Sequence, residues 1–330
     1  MTNLLIDPIL YTLYKDDILA IEQRNLHAIK TIFVPESGKR LSPDILKEID
    51  IATPPNPDYE RAAVRRFYGT ALRAPNLKWI HLPHAGIDDP VFGDLLQKGV
   101  RLTNASGAMA EPIAATAIGA LLYFSRGFPR WVRSQKSHMW DQYPFQNLPK
   151  DIRQQHILIF GLGAIGSEIA RLGNALGFKV TGVRRSAKRL ADNIEQLITP
   201  DQVKTILPDL DWLIVSSPLT EATHNFFSDE LLDLLPSNAG VINIARGEII
   251  DEDSLIARLS DGRLSCAYLD VFEEEPLNKE SPLWDLENVI ISPHDSGATS
   301  AVDERLKGYF LRNLELWIKD EPLENEVFER

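Results

Sequence analysis

Gln155–Arg185 reads QHILIFGLGAIGSEIARLGNALGFKVTGVRR. The apolar run Ile157–Phe160 has the length of a strand buried on both faces. Gly161-Leu162-Gly163-Ala164-Ile165-Gly166 follows at once, then a periodic segment that reads as a helix up to Gly177, then a second apolar run, Val180–Val183. Strand, glycine turn, helix and strand in that order make the first half of a dinucleotide-binding unit. Gly161 makes the tight turn, Gly163 admits a pyrophosphate close to the backbone, and Gly166 lets the helix pack on the strand. The helix start at Ala164 and Ile165 offers free N–H groups and a positive dipole end to the phosphates. Taken alone a glycine-rich turn is weak, and the flanking strands give it its weight.

The end of the second strand is where such folds choose their cofactor. An acid about 20 positions past the glycines usually accepts the ribose hydroxyls, whereas arginine suits a 2′-phosphate. Here the chain has Arg184-Arg185-Ser186-Ala187-Lys188-Arg189, with no acid among them. Charge runs are most often solvated faces. A basic run at this position of an acidic chain favours NADP(H), read by Arg184, Arg185, Ser186 and Lys188, with NAD(H) as the alternative.

At 330 residues the chain is too long for one ordinary core, and two domains are the default. With 44% apolar and 25% charged residues it has the make-up of an ordinary globular protein. A net charge of −12 disfavours nucleic acid and anionic lipid as partners. The one cysteine, Cys266, excludes a disulfide within the chain and points to a reducing cytoplasm. The N-terminus lacks a basic region followed by a cleavable apolar segment, and no apolar run is long enough for a membrane span. The histidines and the cysteine make no metal-ligand spacing, so His81 and His84 read as structural.

Residues 1–107 alternate strands and helices without a glycine fingerprint. Helical periodicity covers Ile18–Ile29, and a β-rich run Thr31–Val34 follows. Ser42-Pro43 has the form of a helix start. Ile49–Ala52, Lys78–Leu82 and Val100–Asn104 read as strands. The expected architecture is α/β: two doubly wound domains with a cleft between, the first flavodoxin-like and the second a Rossmann domain. The substrate domain takes 1–107 with about 300–330, and the dinucleotide domain 108–299. Ala- and Leu-rich Glu111–Tyr123 is a helix suited to cross between them. Arg130–Leu148, with Trp131, Trp140, Tyr143 and Phe145 but no clean periodicity, reads as an excursion that packs on a partner subunit.

Three polar residues stand where strands of the second domain should end: Arg246 after VINIA, Glu275 after LDVFEE and His294 after VIISP. Arginine clamps a carboxylate through two parallel hydrogen bonds. Histidine gives or takes the proton of an alcohol/ketone pair near neutral pH. A carboxylate beside that histidine favours its protonated form and fixes its orientation. Together they suit hydride transfer between a nicotinamide and a 2-oxo or 2-hydroxy acid. Charge alone does not separate Glu275 from its two neighbouring glutamates.

INIARGEIIDEDSL, AYLDVFEEEPL and VIISPHDSGATS, with SSPLTEAT and GLGAIGSEIA in the same order and at matching intervals, resemble the signatures of the D-isomer-specific 2-hydroxyacid dehydrogenase family. The resemblance runs from Leu77 onward. It implies that Arg246 anchors the substrate carboxylate and carbonyl, that His294 is the general acid in reduction and base in oxidation, and that Glu275 is its partner. It places Asp270 on the nicotinamide amide beside the backbone of Ala245, and Ser217-Pro218 along the cofactor. Backbone N–H groups of Ala85, Gly86 and Ile87 would grip the substrate carboxylate. Arg185-Ser186 resembles the pair in NADP-dependent glyoxylate/hydroxypyruvate reductases, whose dimers imply a homodimer here, with Trp140 reaching the neighbouring site. An NAD(H)-dependent enzyme on another D-hydroxy acid and a nucleotide-sensing scaffold of the corepressor kind are the alternatives. Two positions depart from the pattern: Asp295 follows the histidine where the family often has isoleucine or leucine, and Ala115 stands where many members have glutamate.

Overall fold

Asp7-Pro8, Ser42-Pro43 and Asp89-Pro90 each start a helix. The residue before the proline accepts N–H bonds of the first turn, Asp7 from Ile9 at 2.9 Å and Asp89 from Val91 at 2.9 Å. Proline presets φ where no N–H is needed. The computed structural model describes residues 1–35, 39–55, 61–86, 89–187 and 192–328. It divides the chain into two units, Met1–Ala108 with Ser300–Arg330 (unit 1) and Met109–Thr299 (unit 2).

Unit 1 carries parallel strands β1 (Thr2–Ile6), β2 (Ile29–Phe33), β3 (Ile51–Thr53), β4 (Trp79–Leu82) and β5 (Arg101–Asn104), in the flavodoxin-like order β2-β1-β3-β4-β5. Leu5 turns to one core with Phe67 and Ile80, and Leu4 and Ile6 to the other with Tyr14 and Trp79, because strand side chains alternate between faces. The helix expected over Ile18–Ile29 spans Pro8–Asn25 instead. Its buried stripe of Leu10, Tyr14, Ile18 and Ile21 starts at the Asp7-Pro8 cap, and Leu26, left-handed at φ 52°, ends it and leaves Ile29 to β2. β1 had no counterpart in the sequence reading, since five residues before a helix cap are too few for a period to show.

Unit 2 carries β6 (His156–Phe160), β7 (Lys179–Val183), β8 (Gln196–Ile198), β9 (Trp212–Val215), β10 (Gly240–Asn243), β11 (Cys266–Leu269) and β12 (Val289–Ile291). All pair in parallel, in the order β12-β11-β10-β9-β6-β7-β8. That is the dinucleotide-fold order, with succession reversing between β6 and β9, and ligands in such sheets lie beyond the carboxyl ends at the reversal. Ile157 and Ile159 enter one core while Leu158 and Phe160 enter the other. Each such side chain contributes about 2 kcal/mol of burial.

The helix Ala110–Ser125 packs on the helix Ala164–Leu176 within unit 2. Arg130–Leu148 is less irregular than expected, because Phe128–Lys136 is a helix started by left-handed Gly127 at φ 78°. The chain then folds back, with Arg130 Nε on Asp141 at 2.7 Å and its guanidinium 4.5 Å over the Tyr143 ring. The helix Val302–Ile318 belongs to unit 1, where Phe310 and Leu314 join the core of Trp79. After it, β13 (Glu326–Val327) pairs antiparallel with β5, and Arg101 grips Glu326 at 2.6 and 2.9 Å.

Burial accounts for the cysteine and for one of the two closely spaced histidines. Cys266 is buried and its thiol is pushed up to about 12 by desolvation. His81 is fully enclosed, bonded through Nδ1 to Thr103 Oγ1 at 2.9 Å. Burial first, then the neighbouring His84 and Arg312, lower its pKa to about 3. Among the described residues no group of three His, Cys, Asp or Glu is placed to hold a metal, and no helix is long and apolar enough to cross a membrane.

Candidate active site

The carboxyl ends of β12, β11, β10, β9, β6 and β7 follow one another along one edge of the unit 2 sheet. The described unit 2 residues read from the sequence as cofactor-binding or catalytic follow these ends, Trp140 excepted. Ile87 and Lys188 lie outside the described residues.

At the end of β6, Gly161 takes φ 106°, the left-handed region that only glycine enters without strain. A Cβ there would lie 2.6 Å from the Ser217 nitrogen. Gly166, in the first turn of the following helix, lies so close that a Cβ would meet the Gly161 carbonyl oxygen at 1.9 Å. Gly163 caps that helix with no side-chain hydrogen bond and has open space where a side chain would stand. The first N–H groups of the helix, at Ala164 and Ile165, have no capping side chain. Ser217 Oγ is buried with no partner among the described residues. Uncapped donors at a helix N-terminus suit a pyrophosphate. The loop continues through Pro218, whose carbonyl accepts from Thr223 Oγ1 at 2.8 Å.

At the end of β7 the two arginines part. Arg184 turns inward onto Asp192, with its two terminal nitrogens 2.7 and 3.2 Å from the carboxylate oxygens. Arg185 and Ser186 are exposed. In this arrangement the donors of Arg184 are engaged by its own loop.

Of the three polar residues at the ends of β10, β11 and β12, two are paired directly. His294 Nδ1 lies 2.8 Å from Glu275 Oε2, while Glu275 Oε1 accepts from the Phe272 N–H at 3.1 Å. A carboxylate only accepts, so Nδ1 donates in that pair and Nε2 is the nitrogen left for another partner. Both side chains are half-buried. The other glutamates separate by contact: Glu273 and Glu252 exchange bonds from each backbone N–H to the other's carboxylate, and burial raises the Glu252 pKa.

His294 itself sits at φ 56°, a strained backbone for a side chain of its size. Asp270 holds it there from both sides. Its carbonyl accepts the His294 N–H at 2.9 Å, and its Oδ1 accepts the N–H groups of Asp295 and Ser296 at 3.0 Å each. Ser292 donates to Oδ1 and Ser296 Oγ to Oδ2. Tyr268, whose hydroxyl burial holds above its ordinary range, donates to Ser292 at 2.7 Å. Asp270 is only 2% exposed.

Arg246 follows β10. One of its terminal nitrogens donates to the Ala245 carbonyl at 2.7 Å, and Asn243 Nδ2 donates to the Arg246 carbonyl at 2.9 Å. In unit 1 the carbonyls of Ala85 and Gly86 are taken by Asn104 Nδ2 and by His84, at 2.9 and 2.8 Å. Neither N–H of Ala85 or Gly86 has an acceptor among the described residues. Trp140 is 92% exposed.

Residues 118–296 match the family model described as D-isomer specific 2-hydroxyacid dehydrogenase, NAD binding domain. The chain belongs to the D-isomer specific 2-hydroxyacid dehydrogenase family. It is an NAD(P)-dependent oxidoreductase. The dehydrogenase is 34% identical over 241 residues to glyoxylate/hydroxypyruvate reductase A of Arabidopsis thaliana, covering 73% of this chain and 75% of that one. Among solved structures it is similar to a D-isomer specific 2-hydroxyacid dehydrogenase family protein of Aeromonas salmonicida, with TM-score 0.78, 26% identity and 99% of each chain covered. The NADPH-dependent glyoxylate/hydroxypyruvate reductase of Sinorhizobium meliloti, solved with NADP and sulfate, matches with TM-score 0.74 and 26% identity over 99% of this chain and 98% of that one.

Sequence reasoning passed over four residues of the dehydrogenase's strand ends: Asn243, Ser292, Ser296 and Asp192. Asn243 had a signal, an amide inside the apolar run VINIA. It fixes the turn after β10, accepting from the Ala245 N–H at 3.1 Å as well as donating to Arg246. The two serines and Asp192 had none, because their partners are 8 to 26 residues away in sequence.

Proposed function

We propose that the dehydrogenase reduces a small 2-oxo acid with NADPH, glyoxylate and hydroxypyruvate being the first substrates to test. The observation that carries this reading is the His294–Glu275 pair at 2.8 Å, on the sheet edge that also bears Arg246 and the glycine turn. The Arabidopsis and Sinorhizobium relatives carry that activity in their names, and exposed Arg185-Ser186 supports the choice of NADPH.

When bound, the nicotinamide supplies the hydride that the substrate carbonyl carbon accepts. Arg246 holds the carboxylate and neutralises charge growing on the carbonyl oxygen. His294 Nε2 gives that oxygen its proton in reduction and removes it in oxidation. Glu275 fixes the ring so that Nε2 faces outward, and Asp270 keeps the backbone of His294 in place. Among the described residues Asp270 Oδ2 takes one hydrogen bond, and it has capacity left for the nicotinamide amide. In unit 1 the N–H groups of Ala85 and Gly86 are the candidates for the substrate carboxylate.

The test follows NADPH and NADH absorbance with glyoxylate, hydroxypyruvate, pyruvate and phenylpyruvate. NADPH-preferring turnover is expected, and His294→Ala should lower kcat by about 10²–10⁴-fold with nucleotide still bound. Absence of turnover in protein that binds nucleotide would remove the reductase reading and favour the scaffold. An NADH-preferring enzyme is the second reading. A homodimer with Trp140 reaching its partner completes the proposal. Trp131, Met139, Trp140 and Phe145 leave an apolar surface exposed on Arg130–Leu148 for it. A monomer in sedimentation equilibrium at assay concentration would exclude that dimer.

A further inference from the structure

The geometry points to Asp192 as a residue that sets cofactor choice: it holds Arg184 inward and so fixes the turn that presents Arg185 and Ser186. This rests on the NADP(H) reading above. Both ends of the excursion after β7 are tied to the sheet. The Arg184 N–H bonds the Ile198 carbonyl at 3.1 Å, and Ile194, two residues past Asp192, is buried in the core. The guanidinium–carboxylate fork joins those ends at 2.7 and 3.2 Å.

The remaining donors of Arg184 reach into the turn, to the Ala187 carbonyl at 2.6 Å and the Ser186 carbonyl at 3.4 Å. With these carbonyls drawn to the guanidinium, Arg185 and Ser186 are left exposed. The side chains of the pair are 11% and 4% exposed. The position at the end of the second strand that would take ribose hydroxyls holds no acid. Asp192 lies beyond that position, and Arg184 covers both of its oxygens. The same pair withholds Arg184 from a 2′-phosphate. What faces outward among the described residues is Arg185 with a hydroxyl beside it, donors that suit a phosphate monoester. Asp192 is thus a positioning residue acting through Arg184, and Arg184 acts by its planar fork rather than by its charge.

Asp192→Asn and Arg184→Lys test this through dissociation constants for NADPH and NADH, read by nucleotide fluorescence without turnover. Lysine keeps the charge but has three donors on one nitrogen and cannot reproduce the four bonds of the planar fork. Both variants should weaken NADPH binding about tenfold, the size of one charge-assisted hydrogen bond. The constant for NADH should stay put, which also shows that the fold is intact. Full retention of NADPH preference by either variant would overturn the inference. So would tighter NADPH binding in Asp192→Asn, since Arg184 would then be a phosphate ligand that Asp192 restrains. Wild-type protein with no NADPH preference, together with an Arg185→Ala variant that changes nothing, would instead sink the NADP(H) reading and the inference with it.

Discussion

Two turns at the carboxyl edge of the unit 2 sheet put a residue in the left-handed region, and they do it by opposite means. Gly161 enters it at φ 106° because it has no side chain, and the Ser216-Ser217 backbone closes over it. His294 enters it at φ 56° with its side chain in place, held by hydrogen bonds to Asp270 on one side and by Glu275 on its ring. The first turn is encoded by residue type at the position itself. The second is encoded by a carboxylate one strand away. A turn of the first kind breaks by addition of a single carbon atom, and a turn of the second kind breaks by loss of an acceptor.

The largest effect should come from the glycine turn. Gly166→Ala places a methyl 1.9 Å from a backbone oxygen, which no rotamer relieves. It should cost about 3 kcal/mol of unfolding free energy and abolish nucleotide binding. Normal NADPH affinity in this variant would show that helix and strand can move apart, and the contrast between the turns would weaken.

Asp270→Asn comes next. The amide keeps the shape but replaces a charged acceptor of four side-chain and backbone donors. A loss of about 2 kcal/mol in stability and a fall in kcat larger than any change in NADPH binding are expected. Loss of NADPH affinity alone, with kcat unmoved, would make Asp270 a cofactor ligand and leave the His294 backbone to support itself.

A smaller effect sharpens the contrast from unit 1, where His81 is enclosed and His294 is half-exposed. The folded pKa of His81 is depressed to about 3 by burial, so its contribution to stability is complete above the unfolded value of about 6.5 and is lost as pH falls. From pH 7.5 to 5.5 this group should remove about 1.4 kcal/mol of unfolding free energy. His81→Gln should flatten the urea-midpoint slope by that amount. Equal slopes in both proteins would assign the pH dependence to another group, such as His156, whose pKa burial also lowers.

Strands β6 and β7 of unit 2 were legible because parallel strands buried on both faces read as apolar runs. β8 was not, since Gln196-Leu197-Ile198 is three residues long and lies at an edge. Helix Phe128–Lys136 escaped notice for a different reason. Its apolar residues Phe128, Trp131 and Val132 stay partly exposed, with ring contacts to Tyr123 and Tyr143, so no buried stripe marks the helix.

By itself the sequence determined the glycine turn, the two successive α/β units, the residue types at the strand ends and the family signatures. Each depends on residues near one another in the chain, where a 2.0 or 3.6 period and the allowed φ of glycine and proline act directly. Only the tertiary structure decided that Asp270 fixes the histidine's backbone and that Asp192 draws Arg184 away from the exposed turn. Those pairings join side chains from different strands and loops, and which of them touch is set by sheet order and register, which a local pattern does not specify.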